Sequence, residues 1–179
     1  MRVLLLAWVA AASLAACHRE TPEELAQQGA ERHRAHEYAQ AVELYRRSLA
    51  LHPDAHVRTD LARALAAAGK FPEAAAEYRT LLGGEPQNGV LWHDYGLVLE
   101  SGLHDLEAAE TALFNATQYP PRSPEASYDL GRVLMQRRRY EEAGACFDAA
   151  IANATRETPW LQDARDLQVQ AYLLARQPR

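Results

Sequence analysis

The sequence predicts an all-α protein assembled from repeated pairs of helices, and three recurrences predict it. An alanine stands four residues before an aromatic residue or leucine at Ala41/Tyr45, Ala74/Tyr78, Ala109/Leu113 and Ala143/Phe147, in steps of 33, 35 and 34 residues. Eight residues beyond each larger residue come Pro53, Pro86, Pro121 and then Thr155. Twelve or thirteen residues before each alanine stands a small residue: Gly29, Ala62, Gly96 and Gly131. Self-similarity at such a period marks stacked supersecondary units, each too small to bury its own apolar face alone.

Each recurrence has a steric reason. Gly29, Ala62, Gly96 and Gly131 fall on first helices where a second helix crosses, and a large side chain there would force the axes beyond the usual separation of about 8–10 Å. Ala41, Ala74, Ala109 and Ala143 serve the same contact from the second helix, and Tyr45, Tyr78, Leu113 and Phe147 fill the space between repeats. Proline ends the second helices, because it lacks an N–H and biases the preceding residue out of the α region. Within the pairs, Gly69-Lys70-Phe71 and Arg139-Tyr140 place an aromatic that staples the turn to the core.

Taken in order, Thr21-Pro22-Glu23-Glu24 supplies an N-cap, a proline at the first helical position and first-turn acids. The first copy has the weaker first helix, with Gln28 and Arg32 at apolar positions. The third carries one extra residue, expected in the turn Ser101-Gly102-Leu103-His104. Ser123-Pro124-Glu125 opens the fourth copy, and Thr158-Pro159-Trp160 opens a last helix running to about Ala175. Leu161, Ala164, Leu167, Gln168, Ala171 and Leu174 make its inward stripe, and Gln162, Asp163, Arg165, Asp166 and Gln170 a polar remainder. The count is nine helices, with residues 18–21 and 177–179 expected to be disordered.

The motifs Trp92-x-x-Tyr95-Gly96-x-x-Leu99, Leu130-Gly131-x-x-Leu134 and Ala143-x-x-x-Phe147 resemble the tetratricopeptide repeat, over about residues 22–156. The resemblance implies a right-handed superhelical stack of four repeats, near 22–54, 55–88, 89–122 and 123–156, closed by a capping helix over 157–176. It also implies an open concave face lined by the first helices, and a protein-binding role without catalysis.

Residues 1–16 combine Arg2, an apolar run from Val3 to Leu14 and the small residues Ala15 and Ala16, as in a secretory signal that is removed. The run is shorter than the ~20 residues that span a bilayer. Leu14-Ala15-Ala16-Cys17 resembles the bacterial lipobox, which implies cleavage before Cys17 and a lipid on its thiol; the alternative is an ordinary secretory signal with a chance cysteine. Two or more acyl chains anchor stably, each buried CH₂ being worth roughly 0.8 kcal/mol. His18 follows where lipoproteins kept in the inner membrane often carry Asp, so the resemblance points to an outer membrane, with the protein facing the periplasm.

Composition sets bounds. With 48% apolar and 24% charged residues the chain is neither disordered nor unusually polar, and a net charge of −5 lacks the footprint of nucleic-acid binding. Arg137-Arg138-Arg139 reads as a solvated turn. The pairs His33/His36 and His52/His56 are read as surface or groove residues, since neither sits in a His-Glu-x-x-His run and Pro53 divides the second. With no Cys-x-x-Cys, no nucleophile elbow and no phosphate-cradling loop, no metal, cofactor or enzymatic activity is expected. Cys146, beside Phe147, reads as a partly buried, unreactive thiol. The sequons at Asn115 and Asn153 are read as accidental.

Residues one step round from the core stripe are expected on the concave face: Ala26, Ala30 and His33; His56, Thr59 and Arg63; His93 and Leu97; Tyr128 and Arg132. Rich in cations and poor in acids, they predict a groove for an extended peptide or a helix of acidic character. Two roles remain open: a scaffold assembling an envelope machine (a pilus, a secretion system or outer-membrane insertion), or an adaptor recruiting cell-wall hydrolases or other periplasmic enzymes. The anchor is checked by metabolic labelling with a clickable fatty acid. The native chain is expected to label and Cys17→Ser to lose the label entirely; persistent labelling would remove Cys17 as the attachment point.

Overall fold

Polar caps and tight reversals cut the chain into nine helices across residues 20–155 and 158–177, which the computed structural model describes. They are α1 (Pro22–Arg34), α2 (Tyr38–Leu51), α3 (Ala55–Ala67), α4 (Phe71–Gly84), α5 (Gly89–Leu97), α6 (Leu106–Gln118), α7 (Pro124–Gln136), α8 (Tyr140–Asn153) and α9 (Pro159–Ala175). Each packs on its neighbours in sequence, giving four antiparallel pairs and a final single helix. Residues 1–16 and Cys17 lie outside the described residues. None of the described helices is long and apolar enough to cross a membrane.

First helices start at side-chain caps. The Thr21 hydroxyl accepts from the Glu24 N–H while the Glu24 carboxylate accepts from the Thr21 N–H, a full capping box. Asp54, Asn88 and Ser123 cap α3, α5 and α7. Thr158 has the extended backbone of a cap, but its hydroxyl makes no cap bond to α9. Residues 20 and 21 were expected to be disordered and are ordered instead: Thr21 is held by the capping box, and Glu20 pairs with Arg47. Gln177 is likewise placed, its N–H donating to the Leu174 carbonyl at 3.2 Å.

The reversals inside the pairs share one geometry. His36, Gly69, His104 and Arg138, each two residues before a second helix, adopt φ of 60°, 74°, 54° and 61°. In three repeats the next N–H reaches back five residues, Glu37 to Arg32, Lys70 to Leu65 and Arg139 to Leu134, each at 2.9 Å. These bonds satisfy carbonyls that the helix end would otherwise leave open. In the third repeat Asp105 reaches back six residues, to Leu99. The extra residue expected in that turn is therefore absorbed in the helix, where α5 runs on as a π-helical turn over Val98–Gly102. The turn itself keeps its shape because the left-handed residue and its bonds already satisfy the helix end.

The small residues stand where the helices cross. A methyl group on Gly29 would come within 2.8 Å of the Tyr45 ring, on Gly96 within 2.7 Å of Leu113, and on Gly131 within 2.6 Å of Phe147. Ala62 and the four second-helix alanines are fully buried. Each large residue thus lies first on the small residue of its own repeat and reaches the next repeat from there, as where the Tyr78 and Tyr95 rings meet at 6.4 Å. Two apolar clusters result, one from Ala41 to Val98 and one from Leu99 to Ala171, and Trp92 and Tyr95 pack against both. On α9, Leu161, Ala164 and Ala171 are buried as expected, but the outer side is less polar than expected, with Val169 and Leu173 largely exposed.

Two substitutions test this geometry by urea or thermal unfolding. Gly131→Ala, against a buried ring with no room to yield, is expected to lose about 1–3 kcal/mol. Arg138→Gly, which relieves a left-handed non-glycine residue, is expected to gain about 0.5–1 kcal/mol after the added freedom of the unfolded chain is counted.

Candidate functional site

Stacking sets successive first helices side by side, so a side chain on one meets the first helix of the next repeat. Arg63 on α3 donates through Nε to Asp94 Oδ2 on α5 at 2.9 Å. His93 on α5 shares a 2.8 Å hydrogen bond between Nε2 and Asp129 Oδ2 on α7. The Tyr128 hydroxyl on α7 donates to Asp163 on α9. The acceptors belong to a recurrence, Asp60, Asp94, Asp129 and Asp163, in steps of 34, 35 and 34 residues. In the first repeat Ala26 and Ala30 take the places of His93 and Arg63.

The ladder is densest between the third and fourth repeats. Arg132 donates to Asp129 at 3.0 Å and lies 3.3 Å from Glu100, a buried carboxylate on the π-helical turn. Gln136 donates to the same Glu100 at 2.7 Å. Tyr128 stacks on Trp160 of α9 at 5.3 Å between ring centroids, with the Arg132 guanidinium 5.9 Å from the Tyr128 ring.

Of the other expected groove residues, Leu97 lines an opening of about 350 Å³ together with Arg63, Phe71, Tyr78, Asp94 and Ser101. His56 is exposed, and the Thr59 hydroxyl is turned back onto the Ala55 carbonyl at 2.9 Å. Ala26 and Ala30 are half-buried. His33 packs edge-on against Tyr38, 5.3 Å between centroids, at the reversal of the first repeat. The expected excess of cations over acids does not survive stacking, since Arg63, His93 and Arg132 are each matched by an acid. The missed signal was the aspartate recurrence, two residues before Ala62, Gly96 and Gly131 and continued at Asp163, as regular as the recurrences that predicted the fold.

Burial disfavours a charge on the His93 ring, but the hydrogen bond and the charge of Asp129, with Asp94 and Glu125 adding, outweigh it and raise its pKa. On the opposite side of the stack, an opening of about 770 Å³ between α6, α7 and α8 is lined by Phe114, Leu130, Leu134 and Cys146. Burial pushes the Cys146 thiol up to about 11, so it is not a nucleophile at neutral pH. Arg137 and Arg139, expected in a solvated turn, instead clamp Glu110 of α6, tying the fourth reversal to the third repeat. Among the described residues no three His, Cys, Asp or Glu side chains gather as a metal set would.

Paired helices with small residues at each crossing, stacked through their first helices, define a helical-repeat solenoid. Two tetratricopeptide-repeat models match residues 32–94 and 99–157, together more than half of the sequence, and the chain belongs to the tetratricopeptide repeat family. No curated protein matches it. Similar solved structures include MamA from Desulfovibrio magneticus RS-1, with 19% identity over 81% of this chain and 77% of that one at a TM-score of 0.69. A tetratricopeptide repeat protein from Parabacteroides merdae is 21% identical over 88% of this chain and 67% of that one, also at 0.69. A chain of the Naa15/Naa10 complex bound to HypK-THB is 20% identical over 86% of this chain and 23% of that one, at 0.63. These likenesses describe the fold. As a member of this family, the chain is a scaffold of the protein-binding kind.

The raised pKa of His93 makes a prediction whose sign is fixed. A histidine that gains a proton on folding stabilises fully below its unfolded pKa, about 6.5, and the gain is lost as pH rises through the higher folded value. The urea-midpoint advantage of the native chain over His93→Gln is expected to be largest below about pH 6.5 and to shrink as pH rises above it. A gap that is flat or widens with pH would contradict it.

Proposed function

We propose that the mature chain is a lipid-anchored scaffold in a bacterial cell envelope, facing the periplasm from the outer membrane, and that its concave face holds a segment of a partner protein. The lipobox-like Leu14-Ala15-Ala16-Cys17 supports the anchor. The opening at Leu97 carries the binding reading, because it is an unfilled depression in a row of side chains that otherwise satisfy one another. Its apolar floor and the flanking Arg63–Asp94 pair suit an extended peptide that inserts one apolar side chain and sets its backbone against the pair. A preference for acidic peptides is not retained, since the cations it needed are matched within the protein.

The role we favour is assembly of an envelope machine, such as a pilus, a secretion system or an outer-membrane complex. Recruitment of cell-wall hydrolases or other periplasmic enzymes uses the same surface and is the second reading. The two are told apart by which proteins are recovered when the tagged chain is crosslinked in cells and purified.

Leu97→Glu places a charge in the opening, beside the Arg63–Asp94 pair. Partner recovery is expected to fall at least about tenfold, as for an anchor residue of an interface. Glu31→Gln, on the exposed side of α1, is expected to leave recovery unchanged. Equal recovery with Leu97→Glu would remove the opening from the binding surface.

A further inference from the structure

The last helix leaves one side uncovered. Val169 and Leu173, one turn apart on α9, are 58% and 60% exposed. Asp166 and Arg176 flank them, both exposed. In register, Val169 stands two periods beyond Glu100, through Met135. Glu100 points to the first helix of the following repeat, where it meets Arg132 and Gln136. The uncovered side of α9 is therefore the side on which another first helix would lie.

A further pair of the same kind does not fit there. The next residue in the series Gly29, Ala62, Gly96 and Gly131 is Arg165, so a second helix crossing α9 as the others cross would meet an arginine where they meet glycine or alanine. What does fit is α9 itself, turned around. In an antiparallel register centred on Ala171, Val169 faces the partner's Leu173 and Asp166 faces the partner's Arg176. The two-fold repeats both contacts with the roles exchanged. An isologous interface demands this self-matching, with apolar residues on apolar and opposite charges paired about one centre. A helix with an unrelated partner has no need of it.

We propose that a second copy of this chain docks along α9 in this register, making the protein a two-fold dimer. Four exposed apolar side chains leave water at the centre of the seam, and two ion pairs at its ends fix direction and register. A dimer presents two copies of the opening at Leu97 to one partner, which strengthens capture of a repeated or paired target without new contacts. The dimer does not depend on that opening binding anything, so the two ideas fail separately.

The test co-expresses two differently tagged full chains, one with Val169→Cys and the other with Leu173→Cys, and oxidises the lysate briefly. A disulfide-linked species carrying both tags is expected, well above the level given by a control pair with Glu31→Cys in both chains. Asp166→Arg in both chains is expected to cut the yield by about fivefold or more, through loss and reversal of two ion pairs. Adding Arg176→Asp to both is expected to restore it. The proposal is overturned if the doubly tagged species does not exceed the Glu31→Cys control, or if the cysteines link to a protein of another mass. It is overturned equally if Asp166→Arg has no effect, or if the double charge exchange fails to rescue.

Discussion

The structure depends on the contact between a small residue on each first helix and a large one on the second. Where the first helix carries Gly29, Gly96 or Gly131, the ring or branched chain opposite lies so close that one added methyl group has no space. This closeness fixes both the separation of the two axes and the level at which they cross. Because the contact recurs at nearly constant spacing, every pair has nearly the same shape. Identical shapes stack with a constant offset, and the first helices then come to lie side by side. The reversals preserve this regularity, since each ends its first helix with a residue in the left-handed region followed by an N–H that reaches back to the helix end, five residues in three repeats and six in the third. The one irregularity in length is absorbed as a π-helical turn in α5, at the boundary between the two apolar clusters.

Side-by-side first helices create the second layer of organisation, a ladder of polar contacts from repeat to repeat. Exposed ion pairs are individually weak, on the order of 1 kcal/mol or less. The rungs around Asp129 and Glu100 are more sheltered and share partners, so breaking one leaves a carboxylate poorly solvated. The ladder specifies which first helix sits beside which. It also decides what the concave face can offer a partner: little unpaired charge, and a depression with an apolar floor at Leu97. A surface of this kind selects by shape and by single apolar insertions more than by net charge.

The two ends of the stack are finished differently. At α1 the capping box, the Glu20–Arg47 pair and the Ser48 hydroxyl on the Pro22 carbonyl tie the start of the helix down with polar contacts. At α9 the inner side is packed, while the outer side keeps two exposed aliphatic residues between an acid and a base. An end that only protected the core would not need Val169 and Leu173 on the outside. Their position, with Asp166 and Arg176 at matched distances from Ala171, is what makes a seam with a second copy physically reasonable.

The sequence by itself determined the helix pairs and their number, because those rest on local chemistry: caps and prolines at helix ends, and size alternation at crossings every 33 to 35 residues. It also singled out first-helix positions that meet the next repeat, Arg63, His93 and Tyr128 among them, since a position on a repeating helix fixes the side it faces. Only the tertiary structure decided what those residues do there. Arg63 and His93 looked like part of a cationic groove because their acids, Asp94 and Asp129, sit on the next first helix, about a repeat away in the chain, and the buried Glu100 that Arg132 meets sits on the preceding repeat. The placement of the extra residue in α5 rather than in the turn was equally hidden, since a length count cannot tell which of two adjoining segments takes up the slack. Local signals fix where helices begin and end, whereas charge balance and exposed faces depend on which neighbours the stack brings alongside.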